Sequence, residues 1–360
     1  MKIKENHSLK PLTSMHVGGK ARFFASVSSL AELKMALIFA KEKRVPVFIL
    51  GGGSNIIVSD SGFSGLVIKV NLRGVKVVRE SSKYRDYEVF SGEIWDDFAK
   101  FSVNQKLYGV ENLSHIPGTV GASVVQNIGA YGQEVSSSVV FVKVINRKTL
   151  KEKILSRKEI KFSYRKSCLN DPRKYKNKYV VTSIVFRLWK KGKLNFEYND
   201  LKKYFENHPK IIPSLKTLRM AIISVRDNKF PFPGSPKNGS VGSFWNAKSV
   251  NSKTFDSIIH KLRKMGHNKK AQEMVDKKSV FRVKQGMKVT PGLFVEILGY
   301  RGKSRGGAKI LESHAGVINN FTGRAKAKDI YNLSKEVSEK VYKEFGIRLR
   351  IEPELVGDFD

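Results

Sequence analysis

Cysteine is almost missing: Cys168 stands alone among 360 residues, so no disulfide forms within the chain and no thiolate zinc cluster is expected. That excludes the disulfide-stapled secreted scaffolds and makes the cytoplasm the expected compartment. Long hydrophobic runs are missing too. Nothing approaches the ~18 apolar residues of a membrane span, and Met1 to Lys10 carries lysines without the apolar stretch of a signal peptide. Membrane insertion is therefore not expected. No repeat of fixed period and no low-complexity tail is found, which excludes solenoids. The seven histidines are scattered, so no metal site is expected. Acidic residues are scarce, with 32 Asp and Glu against 67 Lys and Arg and a formal net charge of +35.

What is present describes a folded chain of two to three domains at roughly 150 residues each. The hydrophobic share is 41%, with 10% aromatic and 28% charged residues, far from the composition of disorder. The basic excess draws polyanions, and it has two readings: a polyanionic partner, or lysine favoured at solvated positions by a biased composition. The lysines are spread over the whole length, and no zinc finger, basic zipper or RNP-type motif accompanies them. Nucleic acid is therefore not an expected partner.

Alternating elements fill the first third. Leu30 to Arg44 has the period of a helix, Val45 to Leu50 reads as a buried strand, and Gly51-Gly52-Gly53-Ser54-Asn55 follows as a turn. Ile56 to Val58 and Leu66 to Val70 read as strands and Trp95 to Gln105 as a helix. Ile116 to Gly132 is too apolar for a surface linker and too glycine-rich for a helix. Val139 to Val144 and Tyr179 to Arg187 predict strands around a polar stretch. Pro231, Pro233, Gly234 and Pro236 form the strongest breaker cluster, and a domain boundary is placed beside it. Beyond it come a strand region over Ala308 to Ile318, an amphipathic helix over Ala327 to Phe345, and a final strand over Arg348 to Leu355.

The turn at residues 51–55 could hold a pyrophosphate through successive backbone N–H groups, or be only a tight turn. It has neither the GxGxxG nor the Gly-Lys-Ser/Thr signature. A second stretch, Ile116-Pro117-Gly118-Thr119-Val120-Gly121-Ala122 followed by Gln126-Asn127-Ile128-Gly129-Ala130-Tyr131-Gly132, strengthens the first reading. Two such loops suggest a large dinucleotide.

These two stretches, in this order and spacing, resemble the FAD-binding domain of the UDP-N-acetylenolpyruvoylglucosamine reductases, the MurB family. Ser163-Tyr164-Arg165, Asn238-Gly239-Ser240-Val241-Gly242-Ser243-Phe244, Ser313-His314-Ala315-Gly316 and Ile351-Glu352-Pro353-Glu354 follow in register, so the resemblance covers nearly the whole chain. Phe196 to Leu201 is similar to the insertion that carries a substrate-contacting tyrosine in the longer form of the family. The resemblance implies an α+β flavoprotein of three domains, with a two-subdomain FAD unit of the vanillyl-alcohol-oxidase type and a C-terminal substrate-binding domain. The limits expected are 1–72 rejoined by 347–360, then 73–226, then 227–346. A monomer is expected.

The implied reaction uses NADPH to reduce FAD, whose N5 passes hydride to an enolpyruvyl double bond and leaves an enolate to be stabilised and protonated. Implied cofactor-binding residues are Gly51, Gly52, Gly53, Ser54, Asn55, Ile116, Pro117, Gly118, Thr119, Gly121, Ala122, Asn127, Gly129, Ala130 and Tyr131. Ser243 matches the family's proton donor; read alone, a Gly-Ser pair is a turn. Arg165 matches the arginine that stabilises the enolate with Glu354, since a guanidinium fork suits a carboxylate. Glu354 beside an enolate helps only when protonated or held by a cation. Read alone, Tyr164-Arg165 is an exposed strand end and Glu354 a terminal carboxylate. Tyr164, Tyr198, Arg226, Lys229 and Asn246 are the implied substrate contacts. Tyr198 reads equally as a tyrosine at a helix start, and Arg226 and Lys229 as solvated charges. His314 reads as structural, and Cys168 as a small apolar residue.

Two places depart from the family pattern. Trp245-Asn246-Ala247-Lys248 stands where Phe-Lys-Asn-Pro is common, which shifts the register of Asn246, and Leu311 to Asn320 differs in spacing. Two other functions compete. A flavin oxidase would share the FAD domain but has no enolate to protonate, so Arg165, Ser243 and Glu354 together argue against it. A basic protein holding an acidic polymer would lack flavin and bind DNA with a steep salt dependence.

Overall fold

The computed structural model describes residues 1–229, 232, 238–276, 280–283 and 286–359. The proline cluster at 231, 233 and 236, with Gly234, lies outside them. The chain divides into two compact units: Met1–His7, Ala21–Gly53 and Phe63–Phe232 form the first, and Ser8–Lys20, Ser54–Gly62 and Pro233–Asp360 the second. Residues 1–72 are thus shared between the units.

In the first unit the strands Lys20–Val27, Phe63–Val70 and Val47–Leu50 are parallel neighbours, with Ile3–Ser8 beyond the first of them. Phe23, Ala25 and Val27 alternate onto one face, where Leu33, Ala36, Leu37 and Ala40 of the helix Leu30–Glu42 cover them, the period of 2 meeting the period of 3.6. The helix starts where Ser29 accepts from the Glu32 N–H, and Glu32 accepts from the Ser28 N–H at 2.7 Å. That hydrogen bond leads the causes holding the Glu32 carboxyl down at about 2.

A five-stranded antiparallel sheet follows, in the order Glu152–Ser156, Val139–Asn146, Tyr179–Trp189, Tyr84–Phe90, Val75–Glu80. The helix Trp95–Asn104 lays Trp95 and Phe98 against Phe186 of this sheet. The Trp95 indole N–H donates to the Leu113 carbonyl at 2.8 Å, so the ring is buried without an orphaned donor. Cys168 is buried in the same core, and burial raises its thiol pKa. Two further helices, Asn199–Asn207 and Leu215–Asp227, enclose a small cluster of Leu201, Leu218, Ala221 and Ile222 around Tyr131.

The second unit has one large core, built from Met15, Val17 and Ile57 together with residues from Val241 to Ile347. A four-stranded sheet in it runs Gly239–Ser243, Val317–Asn320, Ala308–Ile310, Ser304–Arg305. The helix Ala327–Phe345 packs Ile330, Leu333, Val337 and Val341 into the core and ends at Gly346, whose φ of +68° gives the left-handed cap. Glu354–Val356 pairs in parallel with Ile56–Val58, so the end of the chain rejoins its beginning.

Two expectations need correction. Within Ile116 to Gly132, read as non-helical, Val120–Val125 is a helix. A Cβ on Gly121 would stand 2.7 Å from the Ser91 Cβ, so a close backbone approach offsets the poor helix propensity of glycine. Arg348 to Leu355, read as one strand, is two: Arg350–Ile351 pairs with Trp245–Asn246, and Glu354–Val356 pairs with Ile56–Val58. Pro353, which has no N–H for a ladder, stands between them.

Candidate active site

In the first unit the two glycine stretches meet. A Cβ on Gly52 would lie 2.6 Å from the Gly118 Cα, and one on Gly51 would lie 2.7 Å from Thr119 Oγ1. Backbone can come this close to backbone only where no side chain intervenes. Gly53 at φ +67° and Gly118 at φ +111° take conformations that other residues rarely adopt. The second loop is fastened from behind, since Val120 N–H and Gly121 N–H donate to the Glu93 and Ser91 carbonyls, both at 2.8 Å. A turn of three glycines set against a second glycine loop is a cradle whose backbone dipoles suit a diphosphate.

Beyond the helix Val120–Val125 the chain turns through strained positions. Gly129–Ala130 pairs with Gln133–Glu134, and the two residues between them, Tyr131 at φ +47° and Gly132 at φ +79°, form a primed hairpin turn. Asn112 clamps that turn, its Nδ2 donating to the Tyr131 carbonyl at 2.8 Å and to the Asn195 carbonyl at 2.7 Å. Asn127, fully buried at φ +48°, donates through Nδ2 to Glu134 Oε2 and to the Ser163 carbonyl, both at 2.9 Å, and its Oδ1 accepts from Ser136 N–H at 3.2 Å. The side chain of this expected cofactor residue is thus a staple between the glycine loop and Ser163.

That staple sets the next turn. Ser163 and Lys166 exchange two backbone hydrogen bonds of 2.9 Å around Tyr164 and Arg165. Arg165 has φ +53°, and its guanidinium donates to the Gly129 carbonyl at 2.8 Å while lying over the Tyr164 ring. Asn127, Tyr131 and Arg165, all singled out by the sequence, share the left-handed conformation. It costs a non-glycine residue roughly 1–2 kcal/mol and gathers where surrounding structure imposes it, active sites above all.

Tyr198 stands at the start of the helix Asn199–Asn207 and meets Tyr131 edge to face, with ring centroids 5.4 Å apart. Burial raises both phenols, Tyr131 to about 12, and Asp200 and Tyr164 push Tyr198 up further. Arg226, near the end of the helix Leu215–Asp227, hydrogen-bonds Tyr131; burial lowers its pKa, against the opposing pull of Tyr131 and Asp96. Lys229 forms an ion pair with Asp200. The first unit therefore brings Tyr131, Tyr164, Arg165, Tyr198, Arg226 and Lys229 into one connected group of phenols and cations. Asp200, Asn112 and Asp96, which complete it, have no signal in the sequence.

The second unit frames Ser243. Ser243 is paired with Val317, and Phe244 N–H donates to the Gly316 carbonyl at 2.8 Å. Phe244 and Trp245 are buried and anchor the segment, whereas Ser243 is exposed and follows Gly242, whose φ is +74° with open space where a Cβ would stand. Asn246 pairs with Arg350, and its buried Oδ1 accepts nothing among the described residues, an acceptor in search of a donor. On the opposite side Glu352 N–H donates to the Phe244 carbonyl at 2.9 Å. Glu354 N–H donates to the Asn55 carbonyl at 3.0 Å, so Glu354 and the end of the first glycine turn share one backbone frame. His314 accepts from Gly316 N–H at 3.2 Å, a turn-forming contact. Among the described residues no group of three or more His, Cys, Asp or Glu is placed to hold a metal, and no helix is long and apolar enough to cross a membrane.

Residues 21–149 match the family model of an FAD binding domain, and residues 235–356 match that of the C-terminal domain of UDP-N-acetylenolpyruvoylglucosamine reductase. The chain is similar to the UDP-N-acetylenolpyruvoylglucosamine reductase of Flavobacterium johnsoniae, with 32% identity covering 99% of this chain and 100% of that one. It is 33% identical to the enzyme of the same name from Bdellovibrio bacteriovorus, over 98% of this chain and 99% of that one. Among solved structures, the UDP-N-acetylenolpyruvylglucosamine reductase of Thermus caldophilus shares the fold with a TM-score of 0.65 at 22% identity, covering 99% of this chain and 100% of that one.

Proposed function

The chain belongs to the UDP-N-acetylenolpyruvoylglucosamine reductases, FAD-dependent oxidoreductases of peptidoglycan precursor synthesis, and from that premise we propose that it reduces UDP-N-acetylglucosamine enolpyruvate to UDP-N-acetylmuramate with NADPH, using Arg165, Ser243 and Glu354. FAD, when bound, would supply the redox chemistry, a hydride relay between NADPH and the enolpyruvyl double bond. The turn at Gly51, Gly52 and Gly53 and the loop at Gly118 and Thr119 would hold its pyrophosphate on backbone dipoles.

The chain's own residues handle the charge that hydride addition leaves on the substrate. Arg165 presents its guanidinium fork to the carboxylate and stabilises the enolate. Glu354 acts on the same carboxylate and enolate. Ser243 gives its hydroxyl proton to the carbanion carbon, and its oxygen recovers a proton from solvent. Hydride and proton together saturate the double bond, and NADPH leaves as NADP⁺. A serine hydroxyl is a weak acid in water but suffices toward a strongly basic carbanion along a preformed hydrogen bond. Tyr164, Tyr198, Arg226, Lys229 and Asn246 bind the nucleotide sugar.

The observation that carries this reading is Arg165, kept in the left-handed conformation and tied to the carbonyl of Gly129 in the second glycine stretch. A solvated surface arginine needs neither. The test is anaerobic: record the visible spectrum of the purified chain, bleach the flavin with NADPH, then add UDP-N-acetylglucosamine enolpyruvate. Return of the oxidised spectrum on that addition is the expected result. A flavin that bleaches and stays bleached would overturn the substrate, and one that NADPH does not bleach would overturn the reductant.

A further inference from the structure

His115 directly precedes the second glycine loop, and Asp227 lies between Arg226 and Lys229 in sequence. The two side chains meet across 112 positions, His115 Nε2 standing 2.8 Å from Asp227 Oδ1. The histidine is fixed from three other directions. Its backbone sits at φ +60°, its N–H donates to Asp96 Oδ1, and its ring stacks on Phe232 with centroids 4.2 Å apart. Asp96 in turn receives the Arg219 fork, Nη1 to Oδ1 at 2.6 Å and Nη2 to Oδ2 at 2.7 Å. Burial pushes the Asp96 carboxyl up, but Arg219 and the His115 N–H outweigh it and hold Asp96 below its ordinary range. Arg219 is seven residues before Arg226, close to two helical turns, so both project from one face of the helix Leu215–Asp227.

We propose that His115 is a positioning residue that ties the second glycine loop to the segment bearing Arg226 and Lys229, setting those two cations for the substrate. The proposal rests on the reading of Arg226 and Lys229 as substrate contacts. The pair is lopsided: the histidine side chain is 14% exposed and the aspartate 50%. A polar contact so open to water on the aspartate side contributes little to stability. What it supplies is direction, because a histidine whose backbone N–H is held by Asp96 and whose ring stacks on Phe232 gives Asp227 one place to dock. Docking Asp227 fixes the end of the helix from which the chain continues to Lys229, whose other anchor is Asp200. Asp96, reached by both the His115 backbone and Arg219, is the pivot that the two ends share.

The test is a double-mutant cycle on the FAD-loaded full chain, with His115→Ala, Asp227→Ala, the double variant, and His115→Gln, whose amide nitrogen replaces Nε2. Each alanine variant should raise KM for UDP-N-acetylglucosamine enolpyruvate about tenfold with kcat within about twofold, the pattern of lost substrate binding. The double variant should be no worse than the worse single one, since both remove one tie, and His115→Gln should recover most of the loss. Multiplying effects in the double variant, a fall in kcat at unchanged KM, or a glutamine no better than alanine would each overturn the proposal.

Hydrogen–deuterium exchange separates this failure from failure of the functional reading. Amides of residues 222–229 should be protected by FAD in the unsubstituted chain and lose that protection in His115→Ala. Equal protection in both overturns the tie. Absence of turnover in the unsubstituted chain overturns the substrate and leaves the exchange result standing.

Discussion

In the proposed reaction, Ser243 is where a single atom decides the chemistry. Its neighbours Phe244 and Trp245 are buried and Gly242 bends the backbone, so removing the hydroxyl leaves the packing of the segment intact. Ser243→Ala should therefore fold and bind flavin as before. In a stopped-flow experiment its reduction by NADPH should stay within about twofold, while reoxidation by the enolpyruvyl substrate slows by about 10²–10⁴, the range for a lost general acid. Equal slowing of both half-reactions would remove Ser243 from the role of proton donor. The residues proposed for the chemistry are the ones short motifs in the sequence pointed to. Their supports were not legible there: Lys229 and Asp200 are 29 positions apart, and His115 and Asp227 are 112. A salt bridge between distant positions leaves no local pattern, and in so basic a chain every lysine looks equally solvated.

At the scale of elements, what was readable depended on burial. The helix Leu30–Glu42 declared itself by a periodic apolar face. The strand Val75–Glu80 is exposed along its whole length, so it has no alternation to read, and the helix Val120–Val125 is held by contacts its own sequence does not show. The helix Ala327–Phe345 was legible by period, yet its first turn is completed from far away. Ala327 N–H donates to Asp60 Oδ1 at 2.9 Å and Lys328 N–H to Asp60 Oδ2 at 3.0 Å. One carboxylate satisfies two of the four orphan donors and meets the positive end of the helix dipole. Asp60→Ala should destabilise the second unit by about 1–2 kcal/mol, the value of a good N-terminal cap. Exchange of the amides at 327–333 should quicken about tenfold, the rate equivalent of such a loss. Asp60→Asn, which keeps one acceptor, should fall between. Unchanged exchange in Asp60→Ala would show that the turn is held by the core alone.

For the whole molecule, the net charge of +35 makes two demands of opposite sign on salt. Ion pairs such as Lys34–Glu152, Arg305–Glu336 and Lys340–Glu344 are open to water and contribute little, which salt diminishes further. Repulsion among the cations left without acidic counterparts is also screened, and it opposes the compact state more than the expanded one. With 67 basic against 32 acidic residues, repulsion is the larger sum. Raising potassium chloride from about 10 to 150 mM shortens the screening length from roughly 30 to 8 Å, and Tm should then rise by about 2–5 °C, equivalent to 1–2 kcal/mol for domains of this size. The same charge has the reverse effect on the reaction, because a polyphosphate approaching a basic surface is attracted at long range and loses that attraction in salt. KM for the nucleotide sugar should rise over the range in which Tm rises, with kcat nearly unchanged, since screening acts on encounter and not on groups packed inside the site. A Tm that falls with salt would mean that the ion pairs dominate, and a KM indifferent to salt would mean that the basic excess plays no part in bringing substrate to the enzyme.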